Sequence, residues 1–348
     1  MVARHLSLLV PGALGPLDLM DPAQLPTFKT FSRLLGRGDI TPAPGGLEAL
    51  LFERFRFMNP HSELPVAALT YAMEKGIEPD GWCMRADPAF LVPGRTSLMM
   101  MGDGADLGLQ PDEVDAVLTS LNQHFAEDGL RFEATTSNHW YVFGPEQEIQ
   151  THPLSEVMGL AVQQHLPQGR DGLRWHGVLA EVQMLLHSHP VNQTRSQRGL
   201  PQLNSLWFWG AGRMPVLPGG LWQSMWSDAS LPAAMALAAS VPRQPCPADA
   251  EEWLEKAESG SHLILLESFI RLLPDMSPEA WAEVMSDLEV RWWQPLWRAL
   301  RRGRLQSLSL YPVSGQAYYL TPGLARRWWR RPVRLHSLLE TALDAQAH

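Results

Sequence analysis

Apolar residues along this chain fall into two rhythms: short unbroken runs, and runs that recur every three or four positions. Leu6-Ser-Leu-Leu-Val10 is of the first kind and is stopped by Pro11-Gly12, which predicts a buried first strand. Within 26–37, Phe28, Phe31, Leu34 and Leu35 keep a helical spacing, and Gly36 and Gly38 end it. Residues 47–57 and 65–74 predict two more helices. Residues 77–95 are rich in Gly, Pro and Asp and read as a boundary. Leu98-Met-Met-Met101 predicts a strand. A helix then starts at Pro111, whose ring suits a first turn, with Asp112 and Glu113 at its positive end. Residues 131–134 and 139–143 predict two strands joined by a polar turn. This order gives a small α+β module over 82–170.

Beyond it, Val178, Val182, Leu185 and Leu186 predict a helix over 175–187, broken by the Pro190 and Pro201 segment. Residues 206–209 form an aromatic strand ending in Gly210-Ala-Gly212, and 262–266 another short buried strand. Trp281, Met285, Leu288, Trp292 and Leu296 line one long helix over 278–300, which Gln294-Pro295 should bend or interrupt. Residues 305–310 and 316–320 read as a hairpin. Strands alternating with helices favour an α/β core.

Composition sets limits on this picture. The chain has 348 residues, 45% hydrophobic and 19% charged, which suits a folded protein of two domains, or one α/β unit with an insertion. No 18-residue apolar run occurs, so no spanning helix and no membrane partner are expected. The apolar stretch at the N-terminus is too short for a signal-peptide core. Cys83 and Cys246 stand far apart, which leaves no disulfide framework and points to a reducing cytoplasm. The net charge of −9 hides an asymmetry. Residues 290–339 hold no acid but carry Arg291, Arg298, Arg301, Arg302, Arg304, Arg326, Arg327, Arg330, Arg331 and Arg334. Residues 1–289 carry 35 of the 37 acids against 18 of the 28 basic residues. The arginine cluster could dock on the acidic part of the chain, hold an anionic metabolite or partner protein, or bind nucleic acid. Overall acidity counts against nucleic acid.

Neither glycine-rich phosphate-loop fingerprint occurs, nor HExxH, nor a GxSxG elbow. His187-Ser-His189 is the one close histidine pair. As metal ligands they would need further donors; otherwise His187 ends a helix and His189 packs before Pro190. Cys83, beside Trp82 and Arg85, is either a thiol of lowered pKa or a buried structural cysteine. The densest polar segment is 187–212, HSHPVNQTRSQRGLPQLNSLWFWGAG. It puts His189, Asn192, Arg195, Arg198 and Asn204 just ahead of Trp207 and Trp209. Two guanidiniums and two carboxamides beside indoles can grip a phosphorylated or carboxylated ligand; equally, they can satisfy loop backbone and surface acids.

This same segment resembles the HPVN…R…G…N-x-x-W-x-W-G-x-G stretch of archaeal-type cofactor-independent phosphoglycerate mutases, in the alkaline phosphatase superfamily. Residues 25–38 resemble that superfamily's early TPNLDxLxxxG helix, and 109–132 resemble the inserted domain of those mutases. Overall the chain resembles the bacterial RpfE-type regulatory protein family. The resemblance implies an alkaline phosphatase-like α/β core with a smaller inserted α+β domain: 1–81 as the first part of the core, 82–170 as the insertion, and 171–348 as the second part with the Arg/Trp-rich C-terminal region.

It also implies a nucleophilic Ser or Thr and two divalent metals held by Asp and His, and here the sequence departs. The first strand ends in Pro11-Gly12 where Asp-Gly is implied, and the chain contains neither Asp-His nor His-Asp. The Asp-x-x-x-His pattern occurs only as Asp344…His348, and 262–266 is followed by Glu267-Ser-Phe-Ile. The expectation is a catalytically silent relative, with no catalytic residue, metal or cofactor, that recognises an anionic metabolite or a partner protein through the 187–212 residues. Two alternatives stand beside it. One is an enzyme whose metal site is rebuilt from His187, His189, Asp18, Asp21 or Asp228. The other is a nucleic-acid-associated protein using the arginine cluster.

Overall fold

The computed structural model describes residues 3–15, 27–57, 63–94, 97–270, 276–333 and 335. The strands follow in chain order as β1 (Arg4–Leu9), β2 (Asp39–Pro42), β3 (Cys83–Pro93), β4 (Leu98–Asp103), β5 (Arg131–Ala134), β6 (Trp140–Phe143), β7 (Ser205–Gly212), β8 (Ser224–Trp226), β9 (Arg243–Gln244), β10 (Gly260–Leu265), β11 (Ser307–Tyr311) and β12 (Gln316–Leu320). They form two sheets, one in each of two compact units. The first unit is Met1–Phe57 with Leu217–His348, and the second is Met58–Val216.

In the first unit the sheet runs β2-β12-β11-β1-β10-β8-β9. β1 is central and parallel to both β10 and β11, and β8 and β9 continue the parallel set. β12 folds back on β11 as the expected hairpin, and the exposed β2 closes that edge. A parallel sheet covered on both faces needs unbroken apolar strands. Leu6, Leu8 and Leu9 of β1 and Leu263, Ile264 and Leu265 of β10 supply them, all essentially without exposure. Phe31, Leu34 and Leu35 from the helix Lys29–Arg37 join Trp281, Met285, Trp293 and Leu296 in one cluster over Leu6, Leu8, Leu308 and Leu310.

The helix expected over 278–300 starts as its residues dictate. Pro278 sits in the first turn, and the Ser277 hydroxyl accepts the Ala280 N–H at 3.2 Å. It then parts into Pro278–Leu288 and Gln294–Arg302 around a π turn, Glu289–Trp293. Pro295 has no N–H to donate, and its ring crowds the carbonyl four residues back; a wider turn ahead of it relieves that crowding. The turn also sends both Trp292 and Trp293 into the core.

His262 in β10 is buried between the Ser224 hydroxyl (Nδ1, 2.8 Å) and the Glu258 carbonyl (Nε2, 3.0 Å). Burial, before any other influence, pushes its pKa down. The unfolded chain therefore takes up a proton first as pH falls. Stability is full above the ordinary value of about 6.5 and declines below it. Urea midpoints measured between about pH 8 and pH 5 are expected to drop over this window, and less so in His262→Gln.

In the second unit β3 is the hub. It pairs antiparallel with β4, β6 and β7, and β5 adds to β6. This corrects the reading of 77–95 as a boundary. Trp82, Cys83, Met84, Ala86, Ala89 and Leu91 are all buried, and Asp87 is a neutralised core residue instead of a turn former. It also widens the module expected over 82–170. β7 pairs along β3 from Cys83 to Ala89, and the helix Gly172–His187 puts Val178, Val182 and Leu186 into the same core as Phe132, Trp140 and Phe208. Residues 63–81 and 171–216 thus belong with the second unit and not with the first, where the sequence placed them. The expected break after 187 is a second helix, Pro190–Gln197, started by the proline and capped by the His189 ring.

No helix among the described residues is long and apolar enough to cross a membrane.

Candidate functional site

The 187–212 residues are committed to the interior of the second unit. The Asn192 amide donates to the carbonyls of Leu186 (2.8 Å) and Leu203 (2.6 Å) and accepts the Leu203 N–H at 3.0 Å, which ties the new helix to the start of β7. Arg195 has no exposure. Its guanidinium reaches Glu113 (2.8 Å) and the carbonyls of Pro201 (2.7 Å) and Leu107. Asn204 bridges both backbone groups of Leu91 (2.8 and 2.7 Å). The indole N–H of Trp207 donates to His152 O and that of Trp209 to Asp87, each at 2.8 Å. His189 is buried, with one ring nitrogen 3.0 Å from Ser120 Oγ and the other accepting the Val191 N–H. Arg198 alone is exposed. The structure thus brings six of the seven together as staples whose polar atoms are already bonded.

The metal alternative meets the same difficulty. Both nitrogens of His189 are engaged, His187 is exposed at a helix end, and Asp228 accepts the Cys246 N–H at 3.3 Å. Asp18, Asp21, Asp344 and His348 lie outside the described residues. Among the described residues, no three His, Cys, Asp or Glu side chains are placed to hold a metal ion. At the carboxyl ends of the parallel strands, where this fold class puts its chemistry, stand Pro11 after β1, Asp228 after β8, Cys246 after β9 and Glu267 after β10. Burial first, then Asp228, Glu267 and Glu252, push the Cys246 thiol up to about 12. Two carboxylates, one thiol and a proline are, among the described residues, fewer donors than a pair of divalent cations needs. Cys83 has no exposure and burial likewise pushes it up to about 12, so of its two readings the buried structural cysteine is the one that fits.

A site that sequence reasoning missed lies in the first unit. A cavity of about 540 Å³ is lined by Thr27, Lys29, Thr30, Arg33, Glu289, Gln294, Trp297 and Arg298. Gly15, just past β1 at φ +71°, lies so close against the Trp281 indole that any Cβ would collide with it, and Phe28 packs on the same indole at 5.4 Å. Lys29 and Arg33, one helical turn apart, share a face, as do Gln294 and Arg298. The one lining carboxylate, Glu289, is spent on the helix start: it accepts the N–H groups of Thr30 (2.7 Å) and Phe31 (3.2 Å). The π turn puts it there. Lys29, Arg33 and Arg298 form no ion pair among the described residues. Arg37, stacked 5.1 Å over Trp297, has its pKa lowered by burial and then by Arg33 and Arg301. Positive charge is crowded here, and an anion would relieve it. The visible signal in the sequence was Lys29, one of only three lysines, four residues before Arg33.

The fold is that of a mixed α/β protein, and comparison with curated proteins adds a phosphoglycerate mutase-like relationship. A stretch of 110 residues is 30% identical to the 2,3-bisphosphoglycerate-independent phosphoglycerate mutase of Methanosarcina acetivorans, covering 31% of this chain and 28% of that one. Over 66 residues it is 36% identical to the protein of that name from Methanothrix thermoacetophila, covering 19% and 17%. The chain thus matches under a third of the length of these curated relatives. Among solved structures, the PH0037 protein of Pyrococcus horikoshii superposes with a TM-score of 0.53 at 13% identity, over 99% of this chain and 97% of that one, a likeness of fold. A looser likeness, TM-score 0.47 at 14% identity over 97% and 95%, is to the cofactor-independent phosphoglycerate mutase of Thermoplasma acidophilum. No protein-family model matches the chain.

Proposed function

We propose that this chain is a phosphoglycerate mutase-like binding protein without mutase activity, and that its ligand is a small phosphorylated or carboxylated metabolite held in the Lys29–Arg33–Arg298 cavity. The observation that carries this reading is a cavity of metabolite size with three cations around it and its only carboxylate already engaged. Thr27, Thr30 and Gln294 supply neutral hydrogen-bonding groups, and Trp297 an apolar wall. The site moves from the 187–212 residues to the first unit because the buried side chains of the former are already bonded, and Arg198 stands alone at the surface. A regulatory role, of the kind the RpfE-type resemblance implies, follows from binding without turnover. A reducing cytoplasm suits the two free thiols.

Calorimetric titration with 3-phosphoglycerate is the test. Binding is expected, weakening with salt, and Arg33→Ala and Arg298→Ala are each expected to weaken it about tenfold, since a charge-assisted hydrogen bond contributes about 1.5–3 kcal/mol. Mutase assays with added manganese or zinc are expected to show no turnover. Turnover rising with bound metal, or binding unchanged in both variants, would overturn the proposal.

A further inference from the structure

Residues 326–331 read Arg-Arg-Trp-Trp-Arg-Arg, a turn that follows the short helix Pro322–Ala325. Trp328 is 80% exposed and Trp329 64%, whereas the chain's other Trp pair, Trp292–Trp293, is buried. This exposure does not come from a loose chain. Val333 donates to Ser32 O at 3.0 Å, and Arg37 donates to Ala325 O at 2.6 Å. Arg330 reaches the carbonyl of Gly38 at 3.1 Å and Asp39 at 2.9 Å. Gly36 lets the backbone of 331–333 pass where any Cβ would strike the Arg331 carbonyl. The turn is strapped to the helix Lys29–Arg37 on both sides, and its two indoles are held out in water. Large apolar side chains left exposed side by side on an ordered segment mark an interaction surface.

The charge around them selects the partner. Arg327 and Arg330 share one acid, Asp39, at 3.9 and 2.9 Å, while Arg326 and Arg331 are exposed with no ion pair among the described residues. Tyr319, the cross-strand neighbour of Asp39, is also exposed. Trp and Tyr interleaved with arginine is the composition that settles at the headgroup level of a bilayer. The two indoles lie at 85° to each other, 6.1 Å apart, and so do not offer the parallel faces on which successive nucleic-acid bases stack. An indole that stands this far out enters a fluid lipid phase without needing a matching pocket in a partner.

We propose that this turn is a peripheral membrane contact: Trp328 and Trp329 enter the headgroup layer of an anionic lipid surface, with Arg326 and Arg331 on its phosphates. The expectation of no membrane partner rested on the lack of a spanning run, and a peripheral contact needs none.

The test is co-sedimentation of the full chain with vesicles of phosphatidylcholine containing about 30% phosphatidylglycerol, against pure phosphatidylcholine. Binding to the anionic vesicles only is expected, falling with salt. Arg326→Gln with Arg331→Gln should lower the partition coefficient roughly fivefold per arginine, and Trp328→Ala with Trp329→Ala about tenfold. Thermal melts of the variants should stay close to the parent's, because these side chains are exposed and the one bond removed, from Arg326 to Arg301 O at 3.1 Å, lies at the surface. No sedimentation with anionic vesicles at low salt, sedimentation undiminished by the Trp pair, or capture of single-stranded nucleic acid in place of vesicles would each overturn the proposal.

Discussion

Replacing Asp87 with alanine is expected to destabilise the second unit by about 3–5 kcal/mol, seen as a large drop in urea midpoint, because it strands a buried guanidinium. Arg85 and Asp87 alternate on β3 and are both almost fully buried. Arg85 Nε and Nη2 reach Asp87 Oδ1 at 2.9 and 2.6 Å. The other carboxylate oxygen accepts the Trp209 indole N–H from β7, and Arg85 stacks 5.6 Å from that indole. Beyond them, Tyr141 donates to Glu74 at 2.8 Å, and Glu74 meets His139 at 2.6 Å. Burial works to strip the proton from Arg85; Asp87 first, then Tyr141 and Glu74, keep it on. Asp87→Asn keeps an acceptor and should cost less. Arg85→Met with Asp87→Leu should cost less than Asp87→Ala alone, since no charge is then left unpaired. A change under about 1 kcal/mol in Asp87→Ala would show that the pair contributes little beyond packing.

Arg195→Ala should be the second large effect, about 3 kcal/mol, and it separates two readings of the same residue. As a staple, Arg195 satisfies two buried carbonyls and Glu113, which also caps the helix Pro111–His124 through the Gln110 N–H at 2.9 Å. Its loss then appears in the melting curve of the protein alone, and 3-phosphoglycerate binding by the folded fraction is unchanged. If Arg195 instead held the ligand, affinity would fall with little change in stability. Arg198→Ala, at an exposed position, should alter neither by more than about 0.5 kcal/mol.

The contrast between Arg195 and Arg33 shows how far the chain could be read in advance. The segment 187–212 is dense in Arg, Asn and Trp because folding buries it, and each buried polar group then needs a partner. From sequence, a ligand-gripping cluster and an internally bonded one look the same. Arg33 and Arg298 lie 265 positions apart, so nothing local marks them as neighbours. The same holds for residues 77–95, whose Gly, Pro and Asp content suggests a boundary until β3 is seen to run through them and Arg85 to neutralise Asp87.

What the sequence determined by itself was whatever depends on neighbours in the chain: the apolar runs of β1 and β10, the β11–β12 hairpin, the helix started at Pro278, and the interruption ahead of Pro295. These are set by side-chain periodicity and backbone sterics within a few residues. The tertiary structure alone decided which unit 171–216 joins, which arginines are spent and which are free, and that one Trp pair is buried while the other is held out on a strapped turn. Those outcomes turn on whether a distant partner satisfies a charge or covers an indole, and that balance exists only once the chain has folded.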